Sequence, residues 1–162
     1  MFEKTQGKII VLAGFLGLSV LLYGCGTLQL GSTRLPEPTG GFQPKITYDI
    51  TYDKMWKSVM DVLDVCKIPI AYSDRNEGRI TTENIQGQSQ AYAMGLLGTI
   101  TTRYRYFITI DKKDQSTQKL KIVAKLESSS GLEGQWRDIS NDNREGVTNL
   151  ENWLYEQIEK FL

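Results

Sequence analysis

The chain has 162 residues, with 19 basic and 19 acidic side chains and no histidine. That length suits one domain, and the charge balance gives no electrostatic reason to bind nucleic acid. Without imidazole there is no His base, Ser-His or Cys-His pair, or histidine metal site. No enzyme, cofactor or metal is therefore expected.

The first 25 residues set the address of the rest. Lys4 and Lys8 form a basic head, and the 15 residues from Ile9 to Tyr23 carry no charge. This is the layout of a secretory signal, shorter than the roughly 20 residues needed to span a bilayer. Leu22-Tyr23-Gly24-Cys25 resembles the lipobox of bacterial lipoproteins: Leu, a permissive position, Gly or Ala, then Cys. The resemblance implies that residues 1–24 are removed and that Cys25, the new first residue, carries the acyl chains that hold the protein to a membrane. It also implies outer-membrane sorting and a periplasm-facing domain in a Gram-negative cell, because Gly26 stands where Asp would signal retention in the inner membrane. Removing the signal takes away Lys4, Lys8 and Glu3, leaving 17 basic and 18 acidic residues.

Cys66, the only other cysteine, ends an apolar helical stripe and reads as a small buried hydrophobe. Its rival role is a disulfide to Cys25, which would require the lipobox reading to be wrong. One remaining thiol cannot build a structural zinc site.

Gly26 to Gly41, GTLQLGSTRLPEPTGG, is dense in Gly, Pro, Ser and Thr, so residues 25–42 are expected to form a flexible tether. A single domain is expected over 43–162. Ile46, Tyr48 and Ile50 alternate with polar residues as in a strand with one buried face. From Asp53 to Cys66 the apolar positions Met55, Trp56, Val59, Val62, Leu63 and Cys66 recur at three and four, which predicts an amphipathic helix capped by Thr51 or Asp53. Trp56 is expected in the core.

Ile68, Ile70 and Tyr72 predict a short strand beside Pro69. Asp74 to Gly78 is a turn in which Gly78 suits a positive φ, and Arg79 to Ile85 is the return strand. Tyr104, Tyr106, Ile108 and Ile110 alternate with Arg103, Arg105, Phe107 and Thr109. Leu120, Ile122, Ala124 and Leu126 alternate with Lys121, Val123, Lys125 and Glu127, and the polar run Asp111–Lys119 joins the two strands. Val147, Leu150, Trp153, Leu154, Ile158 and Phe161 form a second helical stripe, with Thr148 and Glu151 spaced as a capping box. The expected fold is α+β, an antiparallel sheet of about five strands packed against two helices in the order β-α-β-β-β-β-α.

With the helix opening Tyr52-Asp53-Lys54-Met55-Trp56 and the stretch Asn76-Glu77-Gly78-Arg79-Ile80-Thr81-Thr82, this layout resembles the helix-grip lipoproteins related to BamC (NlpB-type), a component of the outer-membrane β-barrel assembly machinery. The likeness lies mostly between Ile46 and Thr82. It departs from BamC in having one such domain instead of two and no long N-terminal segment.

Two loops are candidate contact sites. Gly87 to Gly98 carries Tyr92, Met94, Leu96 and Leu97, an apolar set that would mark a partner surface if exposed; alternatively, the stretch folds over the sheet or extends its flanking strands into a long hairpin. Ser128 to Asn143 carries Trp136 beside Arg137, a pairing enriched at interfaces, with a Trp packed beneath the loop as the alternative. Carboxylates such as Asp138 and Asp142 lie in a polar segment where charge is ordinarily just solvated. The function expected is a lipid-anchored, non-enzymatic scaffold or accessory subunit that binds other envelope proteins, with outer-membrane protein assembly as the process implied by the resemblance. The alternative is a carrier enclosing an apolar ligand, which would need a sizeable cavity.

Overall fold

A computed structural model describes residues 35–92, 98–130 and 134–162 of the chain. In chain order the elements are β1 (Thr47–Tyr48), α1 (Tyr52–Val65), β2 (Ile70–Asp74), β3 (Arg79–Thr82), β4 (Ile85–Tyr92), β5 (Gly98–Lys112), β6 (Gln118–Ser130), β7 (Arg137–Asp138) and α2 (Arg144–Glu159). The sheet is antiparallel and runs β1-β6-β5-β3-β2, with β4 added to β5 and β7 to β6. The class is α+β, as the two periods in the sequence require.

The long β5–β6 hairpin organises the sheet, pairing Ile100 with Ser130 through to Lys112 with Gln118. Strict alternation sends Tyr104, Tyr106, Ile108 and Ile110 of β5, and Leu120, Ile122, Ala124 and Leu126 of β6, to one buried face. Both helices cover that face, α1 with Met55, Val59, Val62 and Leu63 and α2 with Leu150, Trp153, Leu154 and Ile158. Burying an aliphatic or aromatic side chain contributes about 1.5–3 kcal/mol, so this layer carries most of the stability. Tyr104 and Tyr106 meet edge to face at 5.6 Å, and the Tyr106 hydroxyl donates to Leu150 O.

The local signals were met with shifts. Thr51, not Asp53, caps α1 by accepting from Lys54 N. The α2 cap is Asn143, accepting from Gly146 N, so the helix begins one turn before the Thr148–Glu151 spacing suggests. The first strand shrinks to two residues: Tyr48 is buried but Ile46 is exposed. Phe161 falls beyond the end of α2 and is exposed. Trp56 is only partly buried, stacked on Tyr52 at 6.2 Å.

The expected return strand Arg79–Ile85 is two strands. After Thr82, Glu83 N turns to Pro69 O and the Thr82 hydroxyl, in place of a carbonyl, accepts from Tyr106 N. The break lets β3 pair with Thr109–Phe107 and β4 with Tyr104–Gly98, two strands along one side of β5. Among the described residues seven strands result where about five were expected, two of them only two residues long.

Leu35 to Phe42, part of the stretch whose composition suggests a tether, lies against α2. Thr39 N and its hydroxyl both donate to the Glu156 carboxylate, and Lys45 N donates to Glu159. Leu35 and Phe42 pack on the core.

Candidate functional site on the open face of the sheet

Among the described residues no helix covers the second face of the sheet, and the register places its side chains in rows. One row crosses four strands: Tyr72 of β2 opposes Thr81 of β3, Thr81 opposes Phe107 of β5, and Phe107 opposes Val123 of β6. Tyr72 is 50% exposed, Phe107 38% and Val123 40%. With strands about 4.8 Å apart, the row spans roughly 14 Å. Arg105 and Lys125 oppose each other on one side of it, and Arg79, Thr109 and Lys121 line up on the other.

Next to the Arg105–Lys125 row lies a buried carboxylate. Glu127, 7% exposed, accepts from Arg103 Nε and Lys125 Nζ, each at 2.7 Å, and has Arg105 at 3.9 Å. These hydrogen bonds, Lys125's first, hold its carboxyl below the usual range against the opposing effect of burial. The Arg103 guanidinium also sits 4.0 Å from the centre of the Trp136 ring, a cation–π contact. Lys125 reaches Asp138 of β7 at 3.6 Å. Arg105 packs 5.6 Å from the Phe107 ring, and its Nε is buried without a hydrogen-bond partner among the described residues.

Trp136 therefore takes neither role foreseen for it in full: 37% exposed, it lies on this face as the roof over Arg103. Arg137 points elsewhere and pairs with Asp142 at 3.1 Å. Asp138 is not paired with Asp142; Ser140 N holds its carboxyl below the usual range. In the apolar stretch Gly87–Gly98 the backbone extends β4 to Tyr92 and resumes in β5 at Gly98, as in a long hairpin. Tyr92 lies at the end of β4 opposite Gly98. Met94, Leu96 and Leu97 fall outside the described residues, as do residues 1–34, Cys25 among them.

The cross-strand row and Glu127 were not singled out from the sequence. The signal was present: Phe107 and Val123 interrupt two otherwise polar sets of alternate positions.

On the helix side, α2 and the loop before it guard the exposed rim of β6. Ile122 N donates to the Tyr155 hydroxyl, Ala124 N to Glu151 Oε1 and Leu126 N to Ser140 Oγ, at 2.9–3.0 Å. Tyr155 returns a hydrogen bond to Leu120 O. Burial pushes the Glu151 carboxyl above its ordinary range and the Tyr104 phenol well above its own. The Tyr104 hydroxyl finds no partner among the described residues.

An open, mostly polar groove of about 200 Å³ runs between Leu35–Glu37 and the start of α2, at Asn143, Glu145, Gly146 and Asn149. Cys66 is buried, as its place in the α1 stripe suggests, but it is disulfide-bonded and not the free thiol expected there. Among the described residues no cluster of carboxylates and thiols is placed to hold a metal, and no helix is long and apolar enough to cross a membrane.

The fold and this face define an α+β domain with both helices on one side of the sheet and an aromatic, cation-framed surface on the other. No family model matches the chain, and no curated protein is significantly similar to it.

Proposed function

We propose that the protein is a lipid-anchored cell-envelope component that acts without catalysis, as a scaffold or accessory subunit for other envelope proteins. The observation that carries this reading is Leu22-Tyr23-Gly24-Cys25 directly after a charge-free run of 15 residues, followed by one small domain. A sulfur and an amine at one residue can carry the two or more chains that stable anchoring takes. An outer-membrane location, and a part in barrel assembly, follow only from the resemblance to BamC-like lipoproteins.

The side chains aimed into the core favour a scaffold over a carrier. Tyr104, Tyr106, Met55, Leu63, Leu126 and Leu154 fill the space between helices and sheet, and the groove at Asn143–Asn149 is too polar and open to enclose an apolar ligand.

The disulfide on Cys66 weighs against anchoring. The chain has two cysteines, so an intrachain bond from Cys66 would use the sulfur that acylation needs. Non-reducing mass spectrometry of protein purified from membranes decides between them. Expected is an N-terminus at Cys25 carrying diacylglycerol and an amide-linked chain, with Cys25→Ser unprocessed and unlabelled by palmitate. An unmodified Cys25, or a Cys25–Cys66 bond, overturns the anchor. Cross-linking in intact envelopes then tests the scaffold: recovery of defined envelope proteins supports it, and recovery of none removes it.

A further inference from the structure

The open sheet face has an order that neither solubility nor the core requires. Its middle row, Tyr72–Thr81–Phe107–Val123, exposes two aromatic rings and an isopropyl group side by side, and Arg105, Lys125, Arg79 and Lys121 border it. Lys119 lies one row further along β6, opposite Asp111. Glu127 draws on Arg103, Arg105 and Lys125, Asp138 on Lys125 at 3.6 Å, and Glu77 on Arg79 at 3.3 Å, while Asp74 lies opposite Arg79 and accepts from the Tyr72 hydroxyl. Lys119 and Lys121 have no ion-pair partner among the described residues.

We propose that this face docks flat on an anionic bilayer surface, the aromatic row entering the headgroup region and the bordering cations meeting lipid phosphates. Tyrosine and phenylalanine favour that depth, and long basic side chains keep their stems on apolar surface while their tips reach outward to charge. Six cations stand against the five carboxylates Asp74, Glu77, Asp111, Glu127 and Asp138, and the small positive excess, carried by Lys119 and Lys121, supplies the charge complementarity to acidic lipid.

This proposal rests on the anchoring reading for its effective concentration. Nine residues separate Cys25 from Leu35, and the ten steps between them, fully extended, span no more than about 36 Å. A domain held that close needs only weak affinity to lie down on the surface.

The test uses the full chain on vesicles of phosphatidylcholine alone and of phosphatidylcholine with phosphatidylglycerol. Flotation reads attachment, and hydroxyl-radical footprinting reads the exposure of Tyr72, Phe107 and Trp136 residue by residue. The expected result is flotation with both vesicles and loss of oxidation at Tyr72 and Phe107 only where phosphatidylglycerol is present, reversed by high salt. Removing two surface charges with Lys119→Gln and Lys121→Gln lowers docking by about 25-fold, at about fivefold per basic residue, and restores the oxidation while flotation persists.

Flotation without protection overturns the docking face and leaves anchoring standing. Flotation with neither vesicle overturns both. Equal protection on both vesicles, or in lipid-free protein at high concentration, overturns the anionic-surface reading in favour of an apolar or self-association contact.

Discussion

The Glu127 cluster gives the sharpest energetic prediction. Glu127→Ala removes two charge-assisted hydrogen bonds, to Arg103 Nε and Lys125 Nζ at 2.7 Å, each worth about 1.5–3 kcal/mol where water is excluded. It also leaves Arg103, Arg105 and Lys125 facing one another. Their side chains are 25%, 33% and 31% exposed, so water recovers part of the loss. A net destabilisation of about 2–3 kcal/mol follows, short of the 3–5 of a fully buried pair.

Urea unfolding followed by circular dichroism measures this directly, and pH supplies a second axis. The native carboxyl titrates below its unfolded value. Its contribution is therefore full above the unfolded pKa, near the ordinary carboxylate value of about 4.3, and is lost as pH falls through the folded one. The wild type should lose stability on acidification through that window more steeply than Glu127→Ala. A change under about 0.5 kcal/mol at neutral pH, the size of an exposed surface pair, or identical acid slopes for the two proteins, would refute the reasoning.

Other sites give further expectations. Gly78 has φ +68°, and a Cβ there would press into the carbonyl oxygen of Ile110, whose N–H bonds Gly78 O at 2.8 Å; Gly78→Ala should therefore cost about 2 kcal/mol or more in thermal or urea unfolding. At Glu151 the native carboxyl titrates above its unfolded value, so its contribution is full below the unfolded pKa and lost as pH rises through the folded one. Glu151→Gln, which keeps an acceptor for Ala124 N, should flatten that fall in pH-dependent unfolding. Glu151→Ala strands the Ala124 amide and should cost about 1–3 kcal/mol in the same assay. Trp136→Ala removes the ring over Arg103 and should lower stability by about 0.5–1 kcal/mol while the Arg103–Glu127 pair persists, as read by urea midpoint.

The elements with strong periodicity were legible. The buried sets of β5 and β6, and most of the stripes of α1 and α2, stand where the apolar spacing puts them, and Gly78 takes the positive φ its turn requires. The misses occur where a side-chain hydrogen bond or a strand register, neither of which shows in the apolar spacing, overrides the local pattern. Nothing near Thr82 announces that its hydroxyl will replace a carbonyl for Tyr106 N, so the split into β3 and β4 was hidden. Asn143 won the α2 cap over the Thr148 spacing because its side chain reaches Gly146 N. Glu127 reads as one more solvated charge until Arg103 and Lys125 arrive from positions 24 and two residues away. The row on the open face exists only through register, since Tyr72, Thr81, Phe107 and Val123 share no sequence motif.

The hydrogen bonds that β6 amides donate to Tyr155, Glu151 and Ser140 have a temporal consequence. Two of those three groups belong to α2, which leaves the ribosome after β6, so a nascent chain ending before Arg144 leaves the amides of Ile122 and Ala124 as a template on which another molecule's strand can grow. Completing α2 shuts that template. Fragments lacking it should precipitate under conditions where the whole chain stays dispersed, and any chaperone that receives the unfinished protein would find its task there.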